Sequence, residues 1–414
     1  IKALFSNIEA VESPKDRFNV DIPDNEELLY NMAMDDEVTT SSISFGIRHP
    51  KSLKDQTVAD FKESLHNGMI MGMLSKRINE ISRKPEAAFL GARISYDDHS
   101  RTSKAFNVSI SPKPDQQHQA FKSVLGEIVR AVKFGFAEAE IERTITEFKN
   151  FYENQIIKED DKSHGSIVST IQNNYLNNTT ITNIAEEYEI AKSIFNSLHA
   201  KELHEAIKKI YKDNNRFLLV TGVKGKKNMS REEALEIIKG VENDDTLVAY
   251  IDDFSGKTLV SGLNITPGGI VSEKEDSLGA TTFTLSNGVK VHYKFADKNK
   301  NDVKLNAISY GGTSLLQDGE LPSANLLGNV IQFSGLGEYS STDLPKVLAG
   351  KTASASVGLY DLTENISGSS VSKDVETMLQ MVYLRFVRPR FDLDGYNVIM
   401  QNVRNYQVRR SEIL

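Results

Sequence analysis

The chain has 414 residues, enough for two or more hydrophobic cores, and its 57 acidic and 49 basic residues leave a formal charge of -8 and a pI near 5.6. That balance, with no long Lys/Arg block, excludes nucleic acid as the expected partner. The absence of cysteine excludes disulfides, thiolate zinc ligands and a thiol nucleophile. No window approaches the about 18 consecutive apolar residues of a membrane helix, and the N-terminus lacks the charged and apolar regions of a signal peptide. The chain starts at Ile1 without a Met and stops at Leu414 inside its last predicted unit, as expected of a portion of a longer protein.

Residues 1–225 are predicted to form an α/β unit. Strands are expected from Glu27 to Met34 and from Ser42 to Ile47, separated by the charged turn Asp35-Asp36-Glu37. A long helix follows, because Val58, Phe61, Leu65, Met69, Met73, Leu74, Ile78 and Ile81 recur at steps of three and four. Met69, Met71 and Met73 point different ways around that helix and are assigned to the core rather than to an adaptable binding groove. Strands at Ala88 to Ile94 and Ala105 to Ile110 precede a helix marked by Phe121, Val124, Leu125, Ile128 and Val132 that ends before Gly135. Ile141, Ile145 and Phe148 mark the next helix. Helical stretches from Ser163 to Gln172 and Thr182 to Ile210 and a strand at Phe217 to Thr221 close the unit.

Residues 226–276 read as an extended linker with one helix, Arg231 to Val241, a turn at Pro267-Gly268-Gly269 and a strand around Leu247 to Ile251. Residues 277–414 open on a hairpin at Asn287-Gly288, where both residues can take the positive φ of a tight turn. A strand-like run from Val303 ends in Gly311-Gly312, and a helix-sized segment, Ser323 to Gly335, follows. Strands are expected at Thr352 to Val357 and Asn365 to Ser369, and Val375, Leu379, Val382 and Phe386 give a helical stripe that stops near Pro389. The strand at Thr352 to Val357, if at a sheet edge, could receive a peptide by strand addition.

Strand, Gly-rich turn and helix in this order, with Asn325-Leu326-Leu327-Gly328-Asn329 on the helix, resemble a domain of the M16 (insulinase/pitrilysin-type) zinc peptidases, whose helix there carries His-x-x-Glu-His. Pro23-Asp24-Asn25, Asp35-Asp36-Glu37, the run from Phe134 to Arg143 and the run from Asn215 to Gly222 resemble that family's second domain, in the same order. The resemblance implies an α+β fold of two M16-type (LuxS/MPP-like) α/β-roll units, each an antiparallel-rich sheet covered by helices on one face. An extended linker joins them, and the second unit is truncated. It places a catalytic domain upstream, with its zinc, and peptides enclosed in a chamber whose wall this portion helps to form. Peptide substrates and the catalytic half of the same polypeptide are the partners so implied, and a bacterial periplasm or cell envelope is the compartment.

The motif itself is degenerate. Zinc in such a site is held by imidazoles four residues apart, and the intervening Glu acts as base. Asn325 and Asn329 offer neutral amides, Gly328 offers nothing, and no Glu occurs between Glu376 and Glu412, where a third ligand is expected on the order of 75 residues beyond the motif. The expectation is a non-catalytic chain without metal or cofactor, from a parent that is a zinc metalloendopeptidase. The alternative is a peptidase-like binding or assembly protein without proteolysis. For the five residues alone, an amphipathic helix that never held a site remains open.

Other candidates are weaker. His199 and His204 are five apart, about 140° around a helix, and do not converge on one ion. Asp97-Asp98-His99-Ser100 gathers the residue types of a triad in adjacent positions without its geometry. Gly256-Lys257-Thr258 and Gly350-Lys351-Thr352 end like phosphate loops but lack the first Gly, and Gly335-Leu336-Gly337 lacks the third Gly of a dinucleotide loop.

Overall fold

Alternating strands of the first half assemble into one five-stranded sheet, and the remaining strands form two sheets of three. The structure, a computed structural model, describes residues 2–9, 11–15, 18–52, 57–252, 254 and 258–413, without the side chains of 405, 406 and 408–413. Gly256 and Lys257 of the first phosphate-loop candidate lie outside the described residues.

A short α1 (Lys2–Phe5) precedes β1 (Leu29–Asp35), β2 (Ser42–Pro50) and the long α2 (Val58–Ser82). Then come β3 (Phe89–Asp98), β4 (Ser103–Pro112), α3 (Gln117–Phe134), α4 (Glu138–Ile157) and α5 (His164–Asn177). The half closes with α6 (Ile184–Ser197), α7 (Ala200–Ile210), β5 (Arg216–Val223) and α8 (Arg231–Glu242). The sheet order is β1-β5-β2-β4-β3, antiparallel except for the β1–β5 pair. Phe45, Ile47, Phe106 and Val108 on one sheet face are buried with Met69, Met73, Phe121 and Leu125 of the covering helices. Met71 packs against the same core, so all three methionines serve it.

Thr57 starts α2 with a capping box: its Oγ1 accepts from the Asp60 amide while the Asp60 carboxylate accepts from the Thr57 amide. The predicted helical stretch from Thr182 to Ile210 is two helices, because Leu198 turns extended (φ -73°, ψ 131°) and packs on the core. The His199 amide then donates to Glu202 Oε1 at 3.3 Å as α7 begins.

The second half runs β6 (Ile270–Glu275), β7 (Thr281–Leu285), β8 (Lys290–Tyr293), β9 (Val303–Tyr310), α9 (Leu321–Ser334) and α10 (Leu344–Val347). It continues through β10 (Ala353–Leu359), β11 (Thr363–Ser370), α11 (Val375–Val387) and α12 (Leu393–Ile413). β6-β7-β8 is one sheet and β10-β11-β9 another, both antiparallel, which leaves β10 at an edge. The expected hairpin forms between β7 and β8, but only Gly288 takes positive φ (86°), so a single left-handed residue suffices for this turn.

Two further expectations need correction. No strand covers Leu247 to Ile251, and that segment joins none of the sheets. α11 forms as expected, but its predicted stripe is not the buried side: Val382 packs against the second core, yet Leu379 is 48 % and Phe386 72 % exposed, whereas Met378, Met381 and Leu384 are buried. The residues read as a linker divide between the two cores. Ala234, Ile238 and Val241 of α8 join the first, and Leu259, with Phe254, Val260 and Leu263, joins Leu336, Tyr339 and Met381 in the second.

Candidate functional site

Asn325-Leu326-Leu327-Gly328-Asn329 lie on α9. Pro322 occupies its first turn, where a missing amide hydrogen costs nothing, and Gly335 ends it at φ 83°, where a Cβ would come 2.2 Å from the Tyr339 carbonyl oxygen. Val330 and Ser334 form its buried side. Ser334 Oγ donates to the Val330 carbonyl at 2.6 Å and accepts from the Asp392 amide at 3.0 Å, which fixes the start of α12 against α9. Gly395 allows the approach, since a Cβ there would sit 2.6 Å from the Phe333 carbonyl oxygen.

Opposite this buried side, Asn325, Gly328, Asn329 and Gln332 share one exposed face, within about 100° of arc. A Cβ at Gly328 would meet nothing within 4 Å. The helix thus presents the motif positions together, as a ligand-bearing helix would, but the donors are two amides and a backbone. Zinc prefers imidazole, thiolate or carboxylate, and this donor set does not suit it.

The other candidates resolve into structural roles. His204 Nε2 lies 2.9 Å from the Val132 carbonyl oxygen and its ring fits against Gly135, while His199 stands before the first turn of α7. In the β3–β4 turn, Asp98 pairs with Lys51, His99 lies against the Phe217 ring and Ser100 Oγ meets Ser103 Oγ at 2.6 Å, so no base faces a nucleophile. Gly350 makes a turn at φ 75°, after which the buried Asp374 receives Lys351 Nζ at 3.3 Å and the Thr352 amide at 2.8 Å. Gly335-Leu336-Gly337 is a tight turn closed by the Leu336–Tyr339 bridge.

One charged cluster escaped the sequence. Arg77 of α2, 2 % exposed, is bound by Glu140 Oε2 at 2.6 Å and Glu127 Oε1 at 3.4 Å, and its guanidinium lies 4.3 Å from the Tyr250 ring centre. Burial opposes its charge, but Glu140 and Glu127 outweigh this and raise its pKa. Tyr250 donates to Glu80 at 2.7 Å, and burial and that contact hold its hydroxyl protonated. The buried Asp252 pairs with Arg143, while Lys346 of α10 reaches Glu80 at 3.0 Å. Tyr250 and Asp252 thus dock the unpaired segment 247–252 onto α2 and α4. No spacing signal announces this, since the partners stand scores to hundreds of residues apart.

No protein-family model matches the chain. Among curated proteins it is similar to a zinc protease PQQL-like protein of Arabidopsis thaliana (22 % identical over 390 residues, 93 % of this chain and 35 % of the relative). It is also similar to the probable zinc protease PqqL of Escherichia coli K12 (21 % over 364 residues, 86 % and 39 %). The chain thus spans little more than a third of the length of these relatives. Its fold matches the crystal structure of the periplasmic protease PqqL from Escherichia coli (TM-score 0.56, 19 % identity, 99 % of this chain and 46 % of that one). It also matches that of the ferredoxin protease FusC in complex with Arabidopsis ferredoxin (TM-score 0.60, 15 %, 99 % and 46 %). Pitrilysin shares the fold at TM-score 0.50, with 9 % identity, over 98 % of this chain and 42 % of its own. With relatives named as zinc proteases and a fold shared with pitrilysin, the chain is similar to the M16 (insulinase/pitrilysin-type) proteases in sequence and fold.

Proposed function

We propose that this chain is a non-catalytic portion of a zinc metallopeptidase, forming part of the wall of a chamber that encloses peptide substrates while an upstream domain hydrolyses them. The observation that carries this reading is the exposed face of α9, where Asn325, Gly328 and Asn329 stand at the positions that in the family supply two imidazoles and a general base. Amides there can hydrogen-bond a passing peptide but cannot activate water. The two units are built around 1–225 and 277–414, the segment 226–276 between them gives its α8 to the first core and Leu259 to the second, and zinc belongs to the upstream domain. The edge position of β10 supports its use for strand addition by peptide. The similarity to PqqL, a periplasmic protease of Escherichia coli, supports a periplasmic parent.

The test is a longer chain that includes the upstream residues. It should bind zinc and cleave unfolded peptides, and Asn325→Ala with Asn329→Ala should leave cleavage per bound zinc unchanged. A longer chain with zinc whose cleavage collapses in that double variant contradicts the reading. A longer chain that binds peptide, holds no zinc and cleaves nothing replaces it with the binding-protein alternative.

A further inference from the structure

Helix α5 (His164–Asn177) has no buried residue. It nevertheless carries an apolar stripe: Ile167, Val168, Ile171 and Tyr175, 44, 61, 56 and 77 % exposed, stand at steps of one, three and four, which place them on one side of the helix. No Asp, Glu, Lys or Arg stands between Lys162 and Glu186, where the chain's 26 % charged content would put about six.

The arm is held at both ends. Ser163 Oγ accepts from the Ser166 amide at 3.1 Å, and Lys300 bridges to Asp160 and Asp161 just before it. Beyond it, Asn183 caps α6 and Thr182 Oγ1 donates to Glu187 at 2.6 Å. The stripe is thus presented by a formed helix, so a ligand would not have to order it.

Taking the chamber-wall reading as its basis, we propose that the α5 stripe is an exosite for an apolar, uncharged segment of unfolded peptide. Three observations select this occupant. The absence of charge means that no ion pair on either side is desolvated on contact, which suits an uncharged partner. Gln172 and Asn174 flank the stripe, and their amides can meet a peptide main chain whatever its sequence. The helix is about 21 Å long, which six or seven extended residues cover. A second copy laid along so short a helix falls below the about 1,200 Å² of a stable dimer, and a lipid surface would favour Lys and Arg along the polar side, where there are none.

The test uses the full chain and a fluorescein-labelled, end-capped peptide of about ten residues that alternates Leu or Phe with Ser or Asn, followed by anisotropy. Binding should weaken about tenfold in the Ile167→Gln/Ile171→Gln double variant, stay the same in Asn173→Ala on the opposite side of α5, and change little with salt. Circular dichroism checks that the double variant keeps its fold, as the exposure of both side chains leads one to expect. Equal binding by the double variant overturns the exosite and leaves the chamber-wall reading standing. No peptide binding by the wild-type chain, or binding that fades with salt, also overturns it. So does wild-type self-association, or binding to uncharged phosphatidylcholine vesicles, that disappears in the double variant, since either assigns the stripe another occupant.

Discussion

The two halves of the molecule use their hydrophobic residues differently. In the first, both neighbouring layers of helix and sheet contribute to one continuous core, from Leu28 to Val241. In the second, among the described residues, the connected buried cluster has six members around Leu336, Tyr339 and Leu384, Val330, Ile366, Met378 and Val398 are buried apart from it, and the sheet β6-β7-β8 has no buried residue. The same contrast recurs within α11, which buries Met378 and Met381 and exposes Leu379 and Phe386. A half with its own core can tolerate polar surfaces, whereas a half with a small core leaves apolar faces for something else to cover.

The largest expected effect is at Arg77. Replacing it with Ala leaves Glu140 buried without its cation and Glu127 with Arg130 alone, and should cost about 3–5 kcal/mol, read as a lower denaturation midpoint of the first half. A loss below about 1 kcal/mol would mean that solvent reaches the cluster. Next comes Leu384→Ala, expected to cost about 2–4 kcal/mol by opening the small core. If the halves melt separately, it should lower only the second transition; a uniform shift of both would show that they unfold as one.

The pH profile should distinguish the halves as well. Burial, with help from Lys212, lowers the pKa of His49 in the first core to about 4. A histidine whose folded pKa lies below its unfolded value stabilises the fold while neutral. That contribution is complete above about pH 6.5 and is lost as pH falls toward 4, where the unfolded chain takes the proton first. Melting temperature of the first half should therefore fall over this range, and less steeply in His49→Gln. An unchanged slope in the variant would assign the acid sensitivity elsewhere, with His66, also lowered by burial, the next group to vary. The smallest effect is expected at Phe386→Ser, within about 0.5 kcal/mol of wild type, because the outer face of α11 touches little.

Much of the first half was legible because its periods are unambiguous. The apolar residues of α2 recur at steps of three and four, and Phe106, Val108 and Ile110 alternate cleanly. On α11 both sides carry apolar residues, and packing against β10 and β11, rather than hydropathy, selects Met378 and Met381 over Leu379 and Phe386. Leu247 to Ile251 has strand composition, but Tyr250 is committed to Arg77 and Glu80, a long-range demand that no local pattern carries. The candidate site was legible as a set of residue types in order. That they share one exposed helix face could only be seen once Ser334 and Gly395 had fixed which side of α9 is buried.

The most direct measurement is elemental analysis of the purified chain after dialysis against zinc, run beside a peptide-cleavage assay. The account predicts less than stoichiometric zinc and no cleavage, with Asn325, Gly328 and Asn329 in place of ligands and base. Stoichiometric zinc together with cleavage would contradict it and move the search for ligands to His199, His204 and the dispersed carboxylates.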